Sequence, residues 1–394
     1  MTITTKKLAS PPSFDEATNR RQKVRAAGLD PNYWYAVEQD HAIAKKQIVE
    51  VKFWGDSIAL YRDESGRLHA VENRCAHRQL PLTVGSVVGD RIVCEYHGWS
   101  YNGAGELADV PHTLFGKKMP QCKLRTFPIR VRYGLVWMFF GDAENADSVP
   151  MPEIPELEGD RKWECVPVDV TWKAHHSMII DNVSDFTHEY LHRKYAPFND
   201  AKLTRLETVG DSVELSYDTK VGRGKISSLF VDRGEIDCES MELAYQYPYQ
   251  WSNTDNKIKH WLFVLPIDEK NTRGFFLFYF DHFVVPFTKV KIPRRMMRPF
   301  LRISNKLLIR PLLSQDGIAV EAEQQGYEKH WDAPIAEISP AVNEFQKLTV
   351  RKWEEYLSRE RAKKEERELV RLTRRAALER ADAQTMSVAD GAEE

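Results

Sequence analysis

The chain has 394 residues, 42% of them hydrophobic and 29% charged, with a formal net charge of −2. Those are globular proportions for two or three domains, and they exclude a disordered, collagenous or disulfide-scaffold protein. The dispersed, nearly balanced charge excludes a nucleic-acid-binding field, and five cysteines, an odd number, fit a reducing compartment.

Residues 1–31 are polar, lack the apolar stretch of a secretory signal, and read as a mobile arm or a short helix. Residues 32–141 change character. The β-rich runs QIVEVKFWG, DSIALYRD, RLHAVENRC, DRIVCEYHGWSY and FPIRVRYGLVWMFFG are broken by turn residues such as Glu64-Ser65-Gly66 and Asn102-Gly103-Ala104-Gly105. Runs of that length and spacing predict a compact antiparallel β domain. Residues 142–160 are acidic and Pro-rich and read as a linker. Residues 161–350 mix types. A helix is expected over Asp181–Lys194, and strands over Lys225–Val231, Met241–Trp251, His260–Pro266 and Gly274–His282, with a hairpin connection at 268–274. Helices are expected over Arg294–Leu313 and Gly317–Gly326, which makes this an α+β domain with helices on one antiparallel sheet. Residues 351–394 hold eleven basic and eleven acidic residues. They read as a solvated helix that frays into disorder after Gln384. No apolar run reaches the ~18–20 residues that cross a bilayer, so a soluble, cytoplasmic protein is expected.

Chemistry enters with Cys75-Ala76-His77 and Cys94-Glu95-Tyr96-His97. Each pair sits at the end of a predicted strand, near a turn, so two hairpin tips can bring them face to face. Thiolates and imidazoles together bind zinc or an iron–sulfur cluster. One sulfur and one nitrogen per loop let each loop give its Cys to one iron and its His to the other, the ligand arithmetic of a Rieske [2Fe–2S] centre. Structural zinc is the alternative on ligand types alone. Gly98 lets backbone amides approach the cluster, and Trp99 can shield it. Cys122, Cys165 and Cys238 read as ordinary buried thiols.

The stretch NRCAHRQLPLTVGSVVGDRIVCEYHGWSYNGAGE resembles the Rieske domain of the Rieske non-haem iron ring-hydroxylating oxygenases, in the α subunit. It departs from that family's pattern at Gln79, where glycine is usual.

An electron carrier needs a user of electrons. In the segment from Asp181 to His192, His188 and His192 are four apart and would share a helix face. Two imidazoles and one carboxylate on one side of Fe(II) leave open positions for O2 and substrate. Asp316, in Ser314-Gln315-Asp316-Gly317, is the candidate third ligand; on the residues alone it reads more readily as a helix N-cap. His188-Glu189-Tyr190-Leu191-His192 also spells a zinc-protease motif, which keeps that reading as a competitor. Asp185, three residues before His188, can accept from the ring N–H of an iron-bound imidazole. The resemblance extends to these residues: Asn182, Asp185, His188 and His192 match the family's motif, and the histidine spacing is similar to that of the carbazole- and 2-oxoquinoline-type homotrimeric branch. It implies that Asp316 is the distal ligand and that Asn182 supports the site. It further implies that Asp185 accepts from His97 of a neighbouring subunit, so that electrons cross along His97, Asp185 and His188.

Lys289–Arg310 holds eight basic residues and no acid, interleaved with apolar ones. It reads as a lid helix with a solvated face, or as a docking face for an electron carrier or a peripheral membrane contact. Phe275–Phe280 reads as sheet core. The sequence carries neither a dinucleotide fingerprint nor a plant-ferredoxin motif, so electrons are expected from a separate ferredoxin or flavin reductase. Taken together, the expectation is an N-terminal Rieske β domain and a C-terminal helix-grip-like catalytic domain with mononuclear Fe(II), in a homotrimer. Its expected activity is to hydroxylate or oxidatively demethylate an apolar, ring-containing small molecule with O2, monooxygenation being favoured. A cis-dihydroxylating dioxygenase is the alternative within the class, and a Rieske electron carrier without catalytic iron the alternative outside it.

Overall fold

The computed structural model describes residues 10–111, 117–159, 163–195, 197–221, 240–256, 258–280, 283–284, 290–292 and 296–390. The expected strand Lys225–Val231 and Cys238 lie outside these residues, as do parts of the segments 274–282 and 289–310.

Helix α1 (Arg20–Ala26) starts where the Asn19 side chain accepts the Gln22 N–H at 3.0 Å. Ten strands follow: β1 (Trp34–Gln39), β2 (Ile48–Phe53), β3 (Asp56–Arg62), β4 (Leu68–Glu72), β5 (Ser86–Val88), β6 (Arg91–Val93), β7 (Ser100–Tyr101), β8 (Leu107–Asp109), β9 (Ile129–Arg132) and β10 (Leu135–Phe139). They form three antiparallel sheets, ordered β1-β10-β9, β2-β3-β4 and β5-β6-β7-β8. A small apolar cluster around Cys75, Leu82, Ile92, Cys94 and Tyr101 holds the outer end.

The second half is one seven-stranded antiparallel sheet. It is built from β11 (Glu164–Trp172), β12 (Phe198–Val209), β13 (Ser212–Val221), β14 (Ser240–Gln246), β15 (Tyr249–Thr254), β16 (Ile258–Asp268) and β17 (Asn271–Phe280), in the order β11-β17-β16-β15-β14-β13-β12. The segment expected as one strand, Met241–Trp251, is a hairpin that turns at Tyr247-Pro248, because proline cannot donate to a central ladder. Helices α2 (His176–Ser184), α3 (Arg298–Ser304), α4 (Arg310–His330) and α5 (Pro340–Asp390) complete the fold.

The two halves share a core. Trp137 on β10 meets Phe263 on β16 edge-on, ring centroids 4.8 Å apart. Arg273 on β17 reaches Glu38 on β1 at 2.9 Å and Asp169 on β11 at 3.0 Å. The segment expected as a linker, 142–160, is a packed strap over its described residues 142–159. Ile154 is fully buried, its N–H donates to the Tyr133 hydroxyl at 2.9 Å, and Trp34 Nε1 donates to the Val149 carbonyl at 3.1 Å.

Four further expectations are corrected. Of the two readings of the N-terminal arm the short helix holds, as α1, and mobility does not from residue 10 onward: Val24, Ala27 and Leu29 are buried, and the Trp353 ring of α5 lies where a Gly28 Cβ would be. The helix expected over Asp181–Lys194 stops at Ser184. There Asp185 turns extended, and its carboxylate accepts from Thr187 N–H at 2.9 Å and Thr187 Oγ at 2.6 Å. That local turn outcompetes the helix. The two helices expected over 294–326 are one continuous rod, α3 and α4 joined by a π-helical turn at Asn305–Ile309. Gly317 does not break it. A Cβ there would stand 2.4 Å from Trp172 Nε1, so glycine serves a close approach. Finally, α5 runs unbroken past Gln384 to Asp390.

Candidate active site

The outer site is made by two turns. Strand β4 runs into Cys75, whose N–H donates to Leu80 O at 2.9 Å and whose carbonyl accepts Gln79 N–H at 2.8 Å. The β6–β7 connection closes similarly, with Cys94 N–H on Trp99 O at 2.9 Å and Gly98 N–H on Cys94 O at 3.0 Å. Gly98 (φ +70°) and Gln79 (φ +63°) are both left-handed. Gln79 therefore adopts the backbone that glycine would take without strain, at a cost of roughly 1 kcal/mol. Both sulfurs are buried, and burial raises the Cys94 thiol above its ordinary range. The His77 and His97 rings are 4.6 Å apart, and His77 stacks on the Trp99 indole at 4.6 Å. His77 and Tyr96 are exposed, so this edge faces outward. Two buried sulfurs below two imidazoles, one of each per turn, is a donor set that fits a [2Fe–2S] cluster with one iron facing the surface. Tyr101, which sequence reasoning passed over, lies under the sulfur side. Its hydroxyl is 3.3 Å from Cys75 Sγ and accepts the Ala76 N–H at 3.0 Å. Burial, then the neighbouring Cys75, holds its pKa far above the ordinary value, so it stays a donor.

The inner site lies in the larger hydrophobic cluster. His188 and His192 are not on a helix; they sit in consecutive turns after α2, closed by Leu191 N–H on His188 O at 3.0 Å and Tyr195 N–H on His192 O at 2.9 Å. The structure still brings both to Asp316, with one ligand atom from each of the three within 4.8 Å of the others. His192 Nε2 is 3.1 Å and His188 Nε2 3.7 Å from Asp316 Oδ1. Asp316 is the seventh residue of α4, so it is not an N-cap.

The remaining ring nitrogens are anchored. His192 Nδ1 bonds Gln315 Oε1 at 2.9 Å, and His188 Nδ1 bonds the Asp185 carbonyl. Such partners select the tautomer that presents Nε2. Asp185 thus serves His188 through its backbone, while its carboxylate is engaged by Thr187. Asn182 Nδ2 is 3.5 Å from Asp316 Oδ1. Burial lowers the His188 pKa against the pull of Asp316, whereas for His192 the Asp316 hydrogen bond and charge outweigh burial and raise it. The Phe198 ring stands edge-on to both imidazoles, centroids 5.3 and 5.7 Å away. Gln315 was legible as the neighbour of Asp316; Phe198 carried no motif. Glu189, the base that a zinc protease would need, instead accepts the Asp200 N–H at 2.7 Å, and without the helix that reading fails.

The three donors line a cavity shared with Phe186, Phe276, Phe278, Phe280 and Leu313, with Asn182, Ser252, Thr254 and His260 as polar exceptions. The aromatic run on β17 is therefore both sheet core and cavity wall. Two histidines and one carboxylate beside an apolar cavity, His192 and Asp316 buried and His188 half-buried, fit a ferrous ion with open positions.

Comparison with known proteins agrees. Residues 33–128 match the Rieske [2Fe-2S] domain, and residues 172–360 match the vanillate O-demethylase oxygenase C-terminal domain. The chain is 47% identical over 340 residues to a 4β-methylsterol monooxygenase of Methylococcus capsulatus (strain Bath), covering 86% of this chain and 92% of that one. This chain belongs to the Rieske non-haem iron oxygenases. It is a terminal oxygenase component of the monooxygenase type, an enzyme that carries a Rieske cluster and a mononuclear iron site. The oxygenase is also 32% identical over 159 residues to the toluene-4-sulfonate monooxygenase iron-sulfur subunit TsaM1 of Comamonas testosteroni, covering 40% of this chain and 44% of that one. Its fold is that of dicamba monooxygenase bound to dicamba, with a TM-score of 0.63 and 19% identity over 85% of this chain and the whole of that one. Among the described residues, no helix of the oxygenase is long and apolar enough to cross a membrane.

Proposed function

We propose that this oxygenase uses O2 and electrons from a separate ferredoxin or flavin reductase to oxidise a methyl carbon of an apolar, polycyclic molecule of the methylsterol kind. In this reading Cys75, His77, Cys94 and His97 hold the cluster, with Trp99 packed against it, and His188, His192 and Asp316 hold the iron. The observation that carries it is the convergence of those three donors on an aromatic-lined cavity. Similarity over 92% of the length of a 4β-methylsterol monooxygenase narrows the substrate class.

Ferrous iron bound there supplies dioxygen binding and the oxidation of an unactivated C–H bond. The chain's own part is to place and to exclude. Phe186, Phe198 and the β17 aromatics bury an apolar substrate and keep water out. Gln315 and the Asp185 carbonyl hold the imidazoles, and Asn182 steadies Asp316. We further propose a cytoplasmic homotrimer in which the edge formed by exposed His77 and Tyr96 and half-buried His97 of one copy meets Asp185 of the next. The Asp185 carboxylate is not spent on His188 of its own chain, which supports that role. The exposed Arg302, Lys306 and Arg310, on the side of the rod away from the cavity-lining Leu308 and Leu312, fit a lid with a solvated basic face.

Metal and sulfide analysis tests the assignment: about three irons and two labile sulfides per chain are expected, against about two and two for an electron carrier. His188→Ala should lose one iron and keep the visible cluster bands. Turnover of a 4-methylsterol under ¹⁸O2 should place one labelled oxygen in the product. Two irons in the native protein, or an unreacted sterol, overturns the proposal.

A further inference from the structure

We infer that Ser252 presents the cavity with a hydrogen-bond acceptor and no donor, and so selects a substrate that carries a free hydroxyl group. This rests on the methylsterol-type reading above and adds the functional group that the cavity recognises.

The polarity follows from a chain of three side chains. Gln250, Ser252 and Thr254 alternate along β15 onto one face, and Ser252 pairs across the ladder with His260 on β16. The Gln250 amide nitrogen donates to the Trp251 carbonyl at 3.1 Å. A carbonyl only accepts, so the amide NH2 has to face it, and the amide oxygen has to face the other way. That oxygen is 3.2 Å from His260 Nε2. An amide oxygen only accepts too, so Nε2 carries the ring proton. A neutral imidazole has one N–H, which leaves Nδ1 bare. His260 is half-buried where it lines the cavity, and burial pushes its pKa down to about 4, so the ring is neutral near pH 7. Ser252 Oγ is 2.6 Å from Nδ1. The bare nitrogen takes the only proton that the serine has. What Ser252 has left for the cavity is lone pairs.

The surroundings make this count. Phe276 and Phe278 on β17 wall the same stretch of cavity, and the His260 ring packs against them at 6.3 and 5.5 Å between centroids. A polar atom covered by an apolar ligand without a partner loses its water and gains nothing. An alcohol donates to Ser252 and repays that loss. A ketone brings lone pairs against lone pairs, and a methyl ether brings no proton. A charged amine would donate as well, but the apolar enclosure penalises its charge.

The test uses the iron-loaded holoenzyme and three probes: a 4,4-dimethyl-3-hydroxysteroid, its 3-ketone and its 3-methyl ether. Binding is followed by tryptophan fluorescence and turnover by KM and kcat. The alcohol should bind about ten- to a hundredfold more tightly than either analogue. Ser252→Ala should lower the affinity for the alcohol to that for the ketone, and Ser252→Thr, which keeps the hydroxyl, should restore the preference. Equal binding of alcohol and ketone by the native enzyme overturns this inference while leaving the substrate class standing, and needs no variant to fold. Binding of none of the three steroids overturns the substrate class and this inference together.

Discussion

Gly317→Ala offers a sharp test of how the fold sets the iron site. The residue follows Asp316 on α4, and an added Cβ would lie 2.4 Å from Trp172 Nε1. Ordinary contact begins at 3.4 Å, so α4 and β11 must separate locally by about 1 Å, the difference of the two. The indole has little freedom to retreat, because Trp172 is buried and packs at 6.0 Å on Phe276. Overpacking of this kind costs about 1–3 kcal/mol. The better helix propensity of alanine returns about 1 kcal/mol. The net effect on stability is therefore small, a Tm lower by a few degrees. The effect on the site is not small, since a shift of about 1 Å moves Asp316 relative to both imidazoles and can cost about a hundredfold in rate. The variant should fold, keep the visible spectrum of its cluster, lose most of its mononuclear iron and lose turnover. Trp172→Phe in the same chain should recover iron. Full iron occupancy and native turnover in Gly317→Ala alone would refute the close-packing argument.

Three other outcomes are expected. Tyr101→Phe should lower the reduction potential of the cluster, because a hydroxyl donor to Cys75 Sγ favours the more negative, reduced state; protein-film voltammetry reads this, and an unchanged potential counts against that hydrogen bond. Asp185→Asn keeps the oxygen that caps Thr187, so iron and cluster should remain while single-turnover electron transfer between them falls at least about a hundredfold; undiminished transfer removes Asp185 from the route. His176, fully buried with its pKa pushed down to about 4, stays neutral in the fold but takes a proton near pH 6.5 in the unfolded chain. Its contribution is complete above pH 6.5 and drains away as pH falls towards 4, by about 3 kcal/mol. Urea midpoints should drop over that window less steeply in His176→Gln than in the native chain.

The two candidate ligand pairs of the outer site were legible because they are local. Cys75-x-His77 and Cys94-x-x-His97 each close within one turn, and ligand chemistry restricts what such a pattern can hold. His188 and His192 were found for a reason that the structure replaces. Helical spacing suggested a shared face, yet the pair converges through turns, because the Asp185–Thr187 contact ends α2 first. Asp316 looked like a helix start because a separate helix was expected from Gly317 onward, after the apolar stretch that ends at Leu313. Only Trp172, 145 positions away in sequence, explains that glycine. Residues 142–160 have a linker's composition, and nothing local says that Ile154 is buried. The Gln250–His260–Ser252 chain has no motif at all; it exists only in the register of β15 on β16.

The docked beginning of the chain bears on how this oxygenase can be handled. Arg25 enters between α2 and α4, bonding Asp181 at 2.7 Å and Glu323 at 2.8 Å, one residue from Asn182 on the first helix and seven from Asp316 on the second. Next to it, Arg359 of α5 pairs with Asp30, and His176 Nε2 donates to the Ala27 carbonyl at 2.8 Å. Trimming the first thirty residues, or expressing the C-terminal half by itself, would strip a buried guanidinium from two carboxylates and let the carrier helices of the iron pocket drift apart. An affinity handle belongs ahead of residue 10, and a severed catalytic half is a poor surrogate for the whole polypeptide.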